Sequence, residues 1–196
     1  MPKTMSPRDL FVEELSDVLT AERTVAKMLP QMQRQASDKK LVGRIKEHVK
    51  ETQQQIKNVE QVFQQLGTRP KRKPCPGIEG IRSEFEEVSQ EDGGTPELRD
   101  LHLLGPAART EHYEIAAYEG LVTMAKAMGE SKAANLLEKN LKQEQAMLRD
   151  GKTVARRLAG KVVKAEGDAP KTQARTRGST RSRSGRGRSR TRSSRR

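Results

Sequence analysis

Between residues 101 and 125 the chain sets apolar side chains at helical spacing: Leu101, Leu104, Ala108, Ile115, Tyr118, Val122 and Ala125. A carboxylate, Glu111, sits on that same stripe, and Glu114 lies beside it three residues later. A surface helix would turn such groups outward. A carboxylate on the core-facing side must be neutralised, paired or bound to a cation, because a bare buried charge is too costly to keep. Any fold for this chain must therefore bring a partner to Glu111, and the other helices decide what that partner is.

Two of them repeat the pattern. Ser6 and Pro7 open a first helix as N-cap and first helical residue. Its stripe runs Leu15, Val18, Val25, Leu29 and Met32, with Glu22 seven residues from both Leu15 and Leu29. Pro30 lies inside the pattern and predicts a kink rather than an end. After a turn at Ser37 and Asp38, a second helix runs to about Leu66, where Gly67 ends it. His48, Glu51 and Gln55 lie together on its flank. A proline-rich crossover, residues 67–77, leads to a short helix over 78–91. Thr95 and Pro96 open a third long helix that ends at Gly129. The fourth runs from about Ser131 to Leu158 and places Glu144 among Leu137, Leu141 and Leu148.

No stretch alternates as a strand would. Two tightly joined helix pairs with a long crossover predict an all-α, ferritin-like four-helix bundle, made of two antiparallel pairs with a short extra helix in the crossover. In an antiparallel pair, residues equidistant from the turn are level. Glu22 and Glu51 flank the first turn at similar distances, and Glu114 and Glu144 flank the second, to within about one helical turn. Four helices then aim carboxylates at one height, with histidines nearby. That is the logic of a carboxylate-bridged di-iron or di-manganese site, since hard or borderline cations take oxygen ligands and imidazole adds a nitrogen. The usual Glu-x-x-His pair is missing; the chain has His48 three residues before Glu51, and His112 directly after Glu111. The bland alternative is a metal-free polar core, with the glutamates paired to Arg109 or Lys142 or to histidine. Tyr113 and Tyr118 read as packing residues, and Cys75, between two prolines, as a partly buried loop anchor.

The string from Glu111 to Tyr118, the string from Lys73 to Gly80, the His48 to Thr52 string and the Ala21-Glu22 step together resemble the YciF/YciE family of ferritin-like proteins, over about residues 8–155. The resemblance implies a ferritin-like bundle, a homodimer and a rubrerythrin-like metal position. It also implies a bacterial stress-associated protein whose reaction is poorly defined. Matching metal positions are Glu22, Glu51, Glu111, Glu114 and Glu144, with His48 and His112 as candidates. Glu51 or Glu111 would bridge, and Glu22, Glu114 and Glu144 would be terminal ligands. The chain departs from the family at Met147 and Leu148, where the family has Thr-Asp.

Charge divides the chain. The formal net charge is +13, yet residues 161–196 hold 13 Lys or Arg against Glu166 and Asp168, so residues 1–160 are almost neutral. The expected division is a ferritin-like domain over 1–160 and a disordered basic tail over 161–196. From residue 171 the tail has no acid, aromatic or large aliphatic residue, and cannot bury a core. Its arginines, Arg175, Arg177, Arg181, Arg183, Arg186, Arg188, Arg190, Arg192, Arg195 and Arg196, form a flexible polycation suited to phosphates. Without aromatics it has no stacking platform, so binding is expected to be non-specific, with DNA favoured over RNA. One cysteine and no apolar run of membrane-spanning length suggest a cytoplasmic, nucleoid-associated protein with no membrane partner.

The leading expectation is a stress protein whose di-metal site, holding iron or manganese, handles Fe(II) and peroxide as a ferroxidase or peroxide-detoxifying oxidoreductase near nucleic acid. The alternative is a metal-free helical dimer that scaffolds or compacts nucleic acid.

Overall fold

The computed structural model describes residues 5–91 and 94–167. These form five α-helices and no strand: α1 (Pro7–Gln35), α2 (Lys39–Gln65), α3 (Pro76–Gln90), α4 (Pro96–Ala127) and α5 (Ser131–Gly167). The four long helices make the bundle. α1 packs on α2 and α4, and α5 on α2 and α4. α3, the crossover helix, packs on α1 and α4, leaving the outer side of α2 and α5 uncovered.

The helix ends follow local chemistry. Ser6 and Asp9 form a reciprocal capping box, and Pro7 occupies the first turn of α1. α1 and α4 each continue through an internal proline, Pro30 and Pro106. Gly67 and Gly129 close their helices with φ of +63° and +76°, a conformation glycine adopts without steric cost. Buried Asp100 of α4 ties down the α1–α2 turn by accepting the backbone N–H groups of Ser37 and Asp38 at 2.8 and 2.7 Å.

Two features differ from the sequence expectation. α5 does not stop near Leu158 but runs to Gly167, so residues 161–167 are helical rather than the start of a disordered segment. Lys161 to Glu166 contain no helix breaker, and Val163 rides 68% exposed on this overhang. The rest of the expected tail, 168–196, lies outside the described residues. On α4 the buried face is also rotated. Leu103, Ala107, Glu111, Glu114, Tyr118 and Leu121 point inward, while Leu101, Ala108 and Ile115 are only half-buried. That rotation brings Glu111 and Glu114 inside together.

The core is split. One apolar cluster gathers Phe11, Leu15, Leu19, Val59, Phe63, Leu121 and Leu137. A second gathers Val25, Met28, Ile45, Ile78, Phe85, Leu103 and Leu158. Polar residues from all four long helices are buried with them: Glu22, His48, Thr52, Gln55, Glu111, Glu114, Asn140 and Glu144.

Candidate metal centre

Glu22 comes from α1, His48 from α2, Glu111 and Glu114 from α4, and Glu144 from α5, and all five are buried. Ligand atoms of His48, Glu111, Glu114 and Glu144 lie within 4.8 Å of one another. Oxygen ligands sit about 2.0–2.6 Å from Mg²⁺ or Ca²⁺, so donors that share one such cation are separated by up to about 5 Å. The spacing therefore fits a common ion. Glu22 is outside that set of four but buried beside it, where it accepts the Tyr118 hydroxyl and its charge acts on Glu114.

The unmet hydrogen-bonding capacity makes the same point. Glu22 Oε2, His48 Nε2, Glu111 Oε2, Glu114 Oε1 and Glu144 Oε2 are buried without a hydrogen-bond partner, as are Thr52 Oγ1 and Gln55 Oε1. Such groups are rare in native proteins, because an unmet buried polar atom keeps its desolvation cost; here His48 Nε2 offsets part of it by standing 3.4 Å from Glu111 Oε1 and 3.6 Å from Glu144 Oε2. Orphans on five candidate ligands describe a site that wants a cation. Four buried carboxylates match the charge of two divalent ions, and among the described residues His48 is the sole buried base beside them.

The electrostatics agree. Burial pushes the Glu22 carboxyl up to about 8, although its Tyr118 bond and the His48 charge pull it down. Burial raises Glu114 well above the carboxylate range, helped by the charges of Glu22 and Glu111. Burial does the same for Glu144, helped by Glu114. For His48, burial disfavours the cation, but the Glu111 charge and the Glu51 hydrogen bond outweigh it and lift the imidazole to about 9. Without a metal the cluster therefore holds protons that ionised carboxylates would have given up.

Glu51 is not in the cluster. Its carboxylate is 28% exposed and accepts bonds from Arg44 Nη1 at 2.8 Å and from His48 Nδ1 at 3.2 Å. Arg44 in turn reaches Asp150 of α5 at 2.8 Å. The inward row of α2 is His48, Thr52 and Gln55, at steps of four and three; position 51 falls to one side, where Arg44 holds it. Glu51, one of the two residues expected to bridge, thus stands beside the cluster and pairs with Arg44 and His48. His112 is exposed and meets nothing in the cluster, because the residue after inward Glu111 turns about 100° away. Arg109 pairs with Glu84 at the surface and Lys142 is exposed, so neither neutralises a buried glutamate.

The surrounding shell was largely hidden in the sequence. Gln55 donates to Glu144, and Tyr118 donates to Glu22. Asn140 donates to the Tyr118 hydroxyl at 2.9 Å, and Asn58 donates to Asn140 at 2.7 Å. Asn140 stands four residues before Glu144 on the buried side of α5, and that spacing was the available signal. Tyr113 is more than packing. Its hydroxyl donates to Asp17 at 2.8 Å and lies 2.9 Å from the Cys75 sulfur. Cys75 is completely buried rather than partly so, and also meets Asp17 at 3.2 Å.

Comparisons with known proteins agree with this architecture. Residues 6–163 match the family described as domain of unknown function DUF892. The chain is 37% identical to protein YciF of Escherichia coli K12 over 139 residues, 70% of this chain and 83% of that protein. The crystal structure of the E. coli stress protein YciF superposes with a TM-score of 0.77 at 33% identity, covering 81% of this chain and 99% of that one. YcfI from Rhodopseudomonas palustris matches with a TM-score of 0.72 at 31% identity, covering 78% and 98%. A dodecameric thioferritin from Bacteroides fragilis matches with a TM-score of 0.60 at 12% identity, covering 84% and 93%, a likeness of fold alone.

Proposed function

Because this chain belongs to the DUF892 family of YciF-like proteins, we propose that it is a stress protein that binds two iron or manganese ions in its bundle core and oxidises Fe(II) there with peroxide or oxygen. The observation that carries this reading is the set of partnerless ligand atoms on Glu22, His48, Glu111, Glu114 and Glu144. Bound metal would supply electron transfer to the oxidant. The protein's own groups do the rest. Glu22, Glu111, Glu114 and Glu144 supply charge-matched oxygen donors, and His48 supplies one nitrogen. Glu51 holds the His48 Nδ1 proton, which leaves Nε2 free to ligate. Gln55 and Tyr118 fix one oxygen each of Glu144 and Glu22, which leaves the other oxygen without a hydrogen-bond partner and able to take a cation. Raised carboxyl affinities make metal entry release protons, which the linkage between the two equilibria requires.

The arginines between Arg175 and Arg196 serve, on this reading, to tether the domain to nucleic acid through phosphates, DNA before RNA. A homodimer would present two such tails. Among the described residues no helix is long and apolar enough to cross a membrane.

Metal analysis and anaerobic Fe(II) titration of the full chain test the reading, beside a Glu111→Gln, Glu144→Gln variant whose fold is checked by circular dichroism. Two ions per chain in the parent and none in the variant are expected for a di-metal carboxylate bundle. A folded parent that takes up neither iron nor manganese would instead make the glutamates a protonated polar core, and the protein a metal-free scaffold.

A further inference from the structure

The near-neutral charge of the folded region hides a strong separation. α1, α3 and α4 together carry 8 basic and 14 acidic residues. α2 carries 6 basic and 3 acidic, and α5 carries 9 and 4. α2 and α5 are neighbours, and α3 covers the opposite side of the bundle, so the basic helices form one open layer.

On that layer the cations are aligned. Lys39, Lys46, Lys50 and Lys57 follow one another on α2 at steps of seven, four and seven. Lys139, Lys142, Arg149, Lys152 and Arg156 follow on α5 at steps of three, seven, three and four. The four on α2 stay on one line, and on α5 Lys142, Arg149 and Arg156 do so at steps of seven, with Lys139 and Lys152 on the two flanks of that line. All nine are exposed, and none forms an ion pair among the described residues. Most acids nearby are occupied, since Arg44 holds Glu51 and Asp150, Lys126 holds Glu138, and Arg23 holds Glu60; Glu47, exposed beside Lys46, is in no ion pair among the described residues and offsets one cation. The Arg44–Asp150 pair also crosses from α2 to α5 and makes the two outer surfaces continuous.

We propose that this α2–α5 face is a nucleic-acid contact in its own right, one that lies along the phosphate backbone of a duplex. The 37 residues of α5 span about 55 Å at ~1.5 Å per residue, the length of roughly sixteen base pairs. A duplex carries one phosphate per ~1.7 Å of axis, so cations at wider spacing each find one, and unpaired lysines release condensed counterions on contact. The face carries no aromatic side chain for unstacked bases, which favours paired over single strands. Val163 is its sole exposed large apolar residue, so it has no row of anchors for a lipid surface. The inference extends the tail's nucleic-acid reading to the folded domain, and the two can fail separately.

Four full-length proteins make the test: the parent and three variants that each lose four cations. One carries Lys46→Gln, Lys50→Gln, Lys142→Gln and Arg149→Gln on the face. A second carries Arg186→Gln, Arg188→Gln, Arg190→Gln and Arg192→Gln in the tail. A third carries Lys27→Gln, Arg34→Gln, Arg69→Gln and Arg99→Gln elsewhere on the surface. Fluorescence anisotropy with a labelled twenty-base-pair duplex (~20 bp) gives the slope of log affinity against log salt, which changes by about 0.9 per phosphate contact. The face variant should lose up to about 3–4 units of slope and the third variant none. A face variant with the parental slope overturns the inference while a weakened tail variant keeps the tail reading. An equal loss in the third variant overturns it in favour of net charge alone. A parent that ignores the duplex overturns both.

Discussion

Glu51 stands behind His48: its carboxylate accepts a hydrogen bond from Nδ1–H at 3.2 Å, while the ring's Nε2 faces Glu111 at 3.4 Å and Glu144 at 3.6 Å. This is the arrangement by which an outer carboxylate fixes the tautomer and angle of a ligating imidazole. Glu51→Ala should therefore weaken metal affinity by about 10–100-fold without removing the site. Glu144→Gln, which alters a ligand, should cost more. Competition titrations with a metal-sensitive dye separate the two. Equal losses in both variants would return Glu51 to the role of direct ligand.

Tyr118 is the sole hydrogen-bond partner of the Glu22 carboxylate among the described residues, since Glu22 Oε2 has none. Tyr118→Phe strips Glu22 of that bond and removes one acceptor of Asn140. Leaving a buried polar group unmet costs about 1–3 kcal/mol. A chain of this size should then melt roughly 2–10 °C lower in the metal-free state. Added Mn²⁺ should recover part of the loss, because a cation gives Glu22 a new partner. Thermal melts with and without Mn²⁺ read this out, and an unchanged metal-free melting temperature would remove Tyr118 from the network.

Stability of the metal-free protein should fall on the alkaline side. An unfolded glutamate loses its proton near 4.5 and folded Glu22 near about 8, so between these values the folded state holds a proton that the unfolded state has lost. The stability this gives is complete below the unfolded value and is lost as pH rises through the folded one. Glu114 and Glu144 act in the same direction. His48, ordinarily near 6.5 and raised to about 9, adds a loss at higher pH. Surface acids with depressed affinity, such as Asp38 beside Arg157, act oppositely and lose their contribution as pH falls. The melting temperature should thus peak near about pH 5 and decline toward about pH 9. Saturating metal should flatten the alkaline decline, because the carboxylates then ionise onto the cation. Melts across pH with chelator or with Mn²⁺ check both curves.

Much of this was legible in the sequence because a carboxylate on an apolar stripe is conspicuous. Glu22, Glu111 and Glu144 stand where leucine would be expected, and glycines at 67 and 129 mark the ends of α2 and α4. α2 was harder to read. Its inward row of His48, Thr52 and Gln55 is polar, so a stripe read through Val49 and Ile56 left His48, Glu51 and Gln55 together on one flank, and nothing there separated Glu51 from its two buried neighbours. The Asn58–Asn140 bond joins residues 82 apart and has no local sign at all. The basic face was hidden by summing charge over the domain, since polarity appears only when helices are assigned to layers. α5 ran past its expected end because helix-forming residues carry it beyond the last fully buried contact at Leu158.

The crossover makes its own prediction through Gly77. A methyl group there would stand 2.5 Å from Tyr113 Cε2, a distance that forces the ring to move. That ring carries the hydroxyl shared by Asp17 and Cys75, and the next residue is Glu114. Gly77→Ala should thus break the Tyr113 contacts and loosen the start of α3, with an overpacking cost of about 1–3 kcal/mol. Cys75 is the reporter. In the parent, its burial raises the thiol's proton affinity and shields it, so a thiol reagent should react slowly with the folded chain and fully after denaturation. In the variant the folded-state rate should rise several-fold or more. Tyr113→Phe separates the causes, because it removes the hydroxyl while keeping the ring. If Tyr113→Phe leaves the rate at the parental value and Gly77→Ala raises it, packing of the ring protects the thiol. If Tyr113→Phe raises it as much, the hydrogen bond does.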